Sequence, residues 1–392
     1  MVGVIPPIFY SINKKLDMKK RNKIYYLEHY LPFVMILFVL SCTGNKVNDK
    51  RKMSVVAGKM DVFIRNVKFP VTYELQGERV PLDVLKPTTL IAIDSFLVVG
   101  EDDSEHQMSI FDRRTLKHIV SLFPKGNGPD DIVLMAPLYY WRKINNNLEV
   151  WVNSLHKYYG GLNINKTVQE KKAVFNTKYE FNQHERGENI LYVANHMFTL
   201  ADSSLFIAID INRSKSVKEN INSSISHYDY KSKSVISSFY FTDYKWEKID
   251  YPTMGCDMDM RADEKKIAVG YKYFNQIIIL DIETGRRTYL TTDADFSTVT
   301  KAIQDKCLFY RYIEVTDDLI FALNYSQGDK GCYFDVFDWD GKAVCQLQLP
   351  GQFYNPFIDP NTNTLYMFNG EYEIWSFKLD VITQQAECLR VF

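Results

Sequence analysis

The stretch Cys256–Thr291, CDMDMRADEKKIAVGYKYFNQIIILDIETGRRTYLT, sets the pattern for the whole chain. Cys256, Met258 and Met260 alternate with Asp257 and Asp259, the period of two expected of a strand. A polar corner, Ala262–Lys266, leads into the apolar run Ile267–Tyr271, and Gln276–Asp281 makes a third strand. The turn Ile282-Glu283-Thr284-Gly285 then opens a fourth, Arg286–Thr291. Four short antiparallel strands in 36 residues is the size of one β-propeller blade.

The same template recurs along the chain. Apolar second strands fall at Phe96–Val99, Leu148–Val152, Leu205–Ile209, Ile267–Tyr271, Leu319–Leu323 and Leu365–Phe368, with starts 46 to 62 residues apart. An Asp- or Asn-bearing corner precedes each one, such as Ala201-Asp202-Ser203 or Thr316-Asp317-Asp318, because Asx side chains bond their own backbone in tight turns. Third strands close on Asp112, Asn163, Asp229, Asp281 and Asp338, and in the sixth repeat on Lys378. Two features kept in phase six times predict an all-β, six-bladed propeller of four-stranded antiparallel blades over residues 60–392. A lone blade has two apolar faces that only its neighbours in a ring can cover. Closing that ring needs one more strand, from Val62–Phe69 or from Glu387–Phe392. Lys218–Ser224 reads as an insertion in the third blade, and Ser297–Lys306 as a short helix before the fifth.

The N-terminus carries a different signal. Lys19, Lys20, Arg21 and Lys23 precede a short apolar core, Leu31–Leu40, that ends at Ser41-Cys42. Ten residues cover about half of the roughly 20 that a spanning helix needs. Residues 1–41 therefore read as a signal peptide, with Met18 as an alternative start. Val39-Leu40-Ser41-Cys42 resembles the lipobox of bacterial lipoproteins, which implies acylation of Cys42 and a membrane anchor made of acyl chains. Residues 42–59 then form a polar tether. Removing residues 1–41 takes away six basic and two acidic residues, leaving 41 Lys/Arg against 46 Asp/Glu. A net charge of −5 argues against nucleic acid as a partner.

Five cysteines follow Cys42, an odd number that cannot all pair. Cys332 and Cys345 flank the Asp340-Gly341 turn, but a tight hairpin there sets Cys345 opposite Val336. Buried, reduced thiols are expected.

Phe123–Asp131, FPKGNGPDD, together with Ile93–Leu97 and the lipobox-like start, resembles the TolB-like six-bladed propeller lipoproteins of Bacteroidetes. Members of that family carry a Gly-x-Gly-Pro-x-Glu turn here. Gly126, Gly128 and Pro129 match it, and Asp131 stands in the place of the Glu. The resemblance implies a binding role and a periplasmic or surface location. Thr43–Asp49 lack the acidic run often associated with surface export in Bacteroidetes, so the expected address is the outer membrane, facing the periplasm. Gly126–Pro129 lacks the Lys-Ser/Thr of a phosphate loop, so the turn reads as a structural carrier from the first blade to the second.

Candidate site residues cluster on the innermost strands. Asp257 and Asp259 share one face in the fourth blade, Glu314 sits in the fifth, and Asn195 and His196 sit in the third; all of them are expected to face a central channel. Buried carboxylates need a partner. Calcium would suit these oxygens, and the competing reading pairs them with Arg261, Arg311 or a neighbouring Lys. No zinc-like spacing, GxSxG or Ser-His-Asp set is present, so no cofactor and no catalytic residue is assigned. The expected function is a monomeric, lipid-anchored envelope module that binds a protein, peptide or glycan. The alternative is a calcium-dependent lactonase- or esterase-like hydrolase that uses the channel.

Overall fold

The computed structural model describes residues 61–382 apart from 103–104, 127, 129–130, 134, 136–137, 139, 145–146, 155–156, 181–195, 210–223, 241–255, 273–274, 293–307, 327–330 and 381. Six four-stranded antiparallel sheets follow one another along the chain and close into a propeller.

Blade one is β4 (Pro87–Ile93), β5 (Phe96–Glu101), β6 (His106–Asp112) and β7 (His118–Pro124). Blade two is β8 (Trp141–Ile144), β9 (Asn147–Ser154), β10 (Tyr158–Asn163) and β11 (Phe175–Glu180). Blade three is β12 (His196–Thr199), β13 (Leu205–Ile209), β14 (Ser224–Asp229) and β15 (Ser234–Tyr240). Blade four comprises β16 (Cys256–Met260), β17 (Lys266–Tyr271), β18 (Gln276–Asp281) and β19 (Arg287–Thr291). Blade five comprises β20 (Tyr310–Val315), β21 (Leu319–Asn324), β22 (Tyr333–Asp338) and β23 (Ala343–Gln348). Blade six supplies β24 (Phe353–Asp359), β25 (Thr364–Asn369) and β26 (Ile374–Lys378).

The second strands are buried on both faces, which is why they read as continuous apolar runs rather than alternations. In β17, Ile267 and Val269 pack with Phe206 and Ile225 of blade three, whereas Ala268 packs with Ile313 and Ile320 of blade five. In β21, Phe321 and Leu323 turn the other way, onto Leu365 and Met367 of blade six. The apolar core is thus a series of layers between blades.

The acids that close the third strands cap the turns after them. Asp112 Oδ1 accepts hydrogen bonds from Thr115 N and Oγ1, each at 2.7 Å, and Asp281 Oδ1 does the same for Thr284 at 2.8 and 2.7 Å. Asp338 Oδ1 takes the N–H groups of Asp340 and Lys342. Asn163 instead accepts Lys166 N at 3.0 Å and caps helix α1 (Ile164–Glu170), which the sequence reading did not anticipate.

The ring closes at a strand that neither sequence candidate supplied. β3 (Gly77–Val80) pairs antiparallel with β26 and completes blade six. Val62–Phe69 contributes only β1 (Val62–Arg65), a fifth strand laid parallel on β19 of blade four. Between the two, β2 (Thr72–Glu74) lies parallel on β23 of blade five. Residues 61–80 therefore form a strap along the outer edges of three consecutive blades. Gly77 lets the strap lie flat, since a Cβ there would meet the Phe377 ring at 2.3 Å. The other closing candidate, Glu387–Phe392, lies outside the described residues, as do the expected helix Ser297–Lys306 and all of the expected insertion Lys218–Ser224 except Ser224, the first residue of β14.

Cys345 stands opposite Val336, Cys332 and Cys345 are buried free thiols, and Cys256 is buried as well. Burial pushes the thiols of Cys332 and Cys345 up, to about 11 and about 12.

Candidate functional site

Hydrogen bonds between innermost strands stitch the blades together around the axis. His196 Nε2 of blade three lies 2.8 Å from Asp257 Oδ1 of blade four. Asp257 Oδ2 accepts Ile313 N of blade five at 2.7 Å, and two residues along, Asp259 Oδ2 accepts Val315 N at 3.1 Å. This i, i+2 repetition follows from strand geometry, because both side chains leave the same face of β16. Glu314 in turn accepts from Ile358 N of blade six. Asn355 Nδ2 reaches Thr88 O of blade one, and Leu138 N, in the segment leading to blade two, donates to Thr89 Oγ1 at 3.2 Å. Tyr159 Oη of blade two donates to Met197 O of blade three at 2.7 Å.

Asp257, Asp259, Glu314 and His196 thus lie on neighbouring innermost strands, while Asn195 lies outside the described residues. Their partners are not the expected cations. Arg261 pairs with Asp263, and Arg311 lies over the rings of Tyr312 and Tyr354. Backbone N–H groups and one imidazole hold the acids instead.

Burial sets their chemistry. Desolvation, with neighbouring Asp257 adding to it, pushes the Asp259 carboxyl up to about 7 against its two backbone hydrogen bonds. Desolvation and the nearby Asp259 and Asp257 push Glu314 well above the usual carboxylate range. Neither acid forms an ion pair among the described residues.

Above these acids a cavity of about 970 Å³ opens on the face where each innermost strand turns into the second. Blades two to six all contribute to its wall. Below it, Asp257, Glu314, Tyr312 and Asn355 border a void of about 10 Å³, room for roughly one water.

The wall on blade two was not foreseen from the sequence. Glu149 is fully buried in β9, where the other blades carry apolar residues, and Arg142 Nε meets its Oε2 at 2.7 Å. Asn176 Nδ2 donates to the other oxygen at 3.0 Å. Arg142 also donates to Leu200 O at 3.2 Å and lies 5.2 Å over the Trp151 ring, so one guanidinium braces blade two on blade three. The available signal was a lone Glu in the apolar run Leu148–Val152.

The residues do not fit a calcium cage. Calcium takes about six to eight oxygen ligands, and among the described residues no three His, Cys, Asp or Glu side chains group closely enough to hold a metal.

The Gly126–Asp131 turn has a packing logic. Gly128 N donates to Asp131 Oδ2 at 2.8 Å, and a Cβ at Gly126 or Gly128 would meet that carboxylate at 2.3 or 2.7 Å. Lys157 of blade two donates to Gly128 O at 2.7 Å. The turn lies on the path between blades one and two and away from the cavity; Pro129 lies outside the described residues.

No family model and no curated protein matches the chain. Among solved structures it is similar to a member of the DUF4221 family from Bacteroides vulgatus, with 14% identity and a TM-score of 0.52 over 78% of this chain and 97% of that one. A Bacteroides fragilis protein named as exported aligns at 10% identity and TM-score 0.48, over 78% of this chain and 98% of its own. The calcium-binding protein regucalcin from Agrobacterium tumefaciens aligns at 12% identity and TM-score 0.44, over 79% and 95%. At such identities the likeness bears on the fold alone.

Proposed function

We propose that the protein is a binding module of the cell envelope, lipid-anchored through Cys42 in the manner of the TolB-like propeller lipoproteins, whose axial cavity takes a small polar ligand. The observation that carries the reading is the cavity itself. Its volume of about 970 Å³ stands at the upper end of the roughly 300–1,000 Å³ of small-molecule sites. Polar and charged groups from five blades converge on it, and no histidine or cysteine is among its described lining residues. That wall suits recognition better than nucleophilic catalysis, which needs an activated side chain beside a base.

The envelope address rests on the basic cluster at Lys19–Lys23, the short apolar core and Cys42. No helix among the described residues is long and apolar enough to cross a membrane.

The test is a thermal-shift screen of the full chain with amino acids, short peptides, mono- and disaccharides and nucleotides, run beside Ala262→Trp, which places an indole at the cavity rim. At least one class should raise Tm in the parent and fail to do so in the variant. A screen with no response, or a response equal in both proteins, overturns the cavity as a ligand site.

A further inference from the structure

The cavity is bipolar. Blades two and five stand opposite each other in a six-membered ring. On the blade-two side Lys166, exposed in the first turn of α1, has an ammonium with no partner among the described residues. The other wall cations are already spent, Arg142 on Glu149, Lys143 on Asp94 and Arg261 on Asp263. Across the cavity the charges reverse. Asp259 and Glu314 lie at the base of the wall on blades four and five without a counter-ion among the described residues, and Asp317 is exposed beside them.

Asp259 and Glu314 are half-buried at the cavity wall; two such carboxyls without a cation are costly to ionise, and an arriving ammonium supplies the missing charge. An isolated lysine on the facing blade calls for an anion at the ligand's other end. Polyamines lack that anion, neutral glycans lack both charges, and a free amino acid carries its two charges on one carbon. The wall between the poles offers the side-chain amides of Asn147, Asn163 and Asn176, which can pair with peptide N–H and C=O groups.

We infer that the cavity binds short peptides by both free termini, the α-ammonium at Glu314 and Asp259 and the α-carboxylate at Lys166. This rests on the cavity being a ligand site and names what fills it. Recognition by termini leaves the side chains loosely specified, so one protein takes peptides of many sequences.

The experiment is calorimetric titration of the purified full chain with tripeptides bearing small, acidic and aromatic side chains, each in free, N-acetylated and C-amidated form. Maltose serves as a neutral control. Free tripeptides bind; N-acetylation weakens them by at least about tenfold, the cost of leaving the half-buried acids without a cation. C-amidation weakens them by a smaller factor, and Lys166→Gln removes the distinction between the free and amidated forms. Glu314→Gln abolishes the preference for a free amine, with an unchanged Tm showing that it is folded. The ligand-side comparison needs no variant, so a misfolded mutant does not blunt the test.

Equal affinity for free and N-acetylated peptides overturns the inference. So does binding of maltose with no peptide response, an outcome that leaves the cavity reading standing. Silence across this set and the wider thermal-shift screen defeats both.

Discussion

His196 Nε2 and Asp257 Oδ1, 2.8 Å apart and 61 positions apart in the chain, join blade three to blade four while the other oxygen of Asp257 holds Ile313 N of blade five. One carboxylate therefore fastens three consecutive blades. Asp257→Ala removes both bonds and leaves a buried N–H and a buried imidazole. Each such loss costs about 1–3 kcal/mol, so a fall of roughly 3 kcal/mol is expected, read as a lower urea midpoint. Asp257→Asn, which keeps one acceptor oxygen, should lose less. Equal losses for the two variants would show that the hydrogen bonds are not what Asp257 contributes.

The axial acids also make stability depend on pH. Asp259 titrates at about 7 in the fold, with Asp257, Glu314 and His196 facing it, and near 4 in the unfolded chain. Between those values the folded protein keeps a proton that the unfolded chain has released. The stabilisation is complete below about pH 4 and is lost as pH rises towards 7. Capped acids such as Asp112 and Asp229, held low mainly by the hydroxyls of Thr115 and Ser232, act with the opposite sign and at lower pH. The difference in Tm between the parent and Asp259→Asn isolates the axial contribution. It should change steadily from pH 5 to pH 7, and a flat difference would exclude it.

The strap should contribute in steps. A chain starting at Val67 loses β1, yet blade four keeps its own four strands. A chain starting at Asp83 loses β3 as well and leaves blade six with three strands and an open edge. The first truncation should lower Tm by a few degrees, and the second should leave the protein aggregated or lower Tm several times as much. Similar Tm values for the two truncations would show that β3 does not hold the ring.

Gly161 bears on the cavity wall through Glu149. A Cβ at 161 would meet Glu149 Cδ at 2.5 Å, so Gly161→Ala forces the buried carboxylate off Arg142. Overpacking of this kind costs about 1–3 kcal/mol, and the same step frees the guanidinium that braces blades two and three. Loss of stability together with altered ligand response is expected. An unchanged Tm would show that the wall yields without cost.

Anchoring is tested by fractionation. Cys42→Ala should move the protein from the membrane to the soluble fraction, because acyl chains on this residue are the proposed attachment. Retention in the membrane would end that proposal.

Much of the propeller is legible in the residues alone. The third strands end on Asp112, Asn163, Asp229, Asp281, Asp338 and Lys378, where the sequence repeats place their ends, and β13 spans Leu205–Ile209 as its apolar run does. These are local matters: strand period, corner chemistry and the acid that caps a turn all lie within a few residues of one another. The placement of Asp257, Asp259 and Glu314 on innermost strands follows from the same register.

What sequence order does not contain is who meets whom across the ring. Gly77 pairs with Phe377, Asp257 with Ile313, and Arg142 with the carbonyl of Leu200. Such pairings join segments that no periodicity links, so only closure of the ring selects them. Closure also replaced the expected Arg partners of the axial acids with backbone N–H groups, since β20, packed against β16, presents Ile313 and Val315 to those carboxylates first.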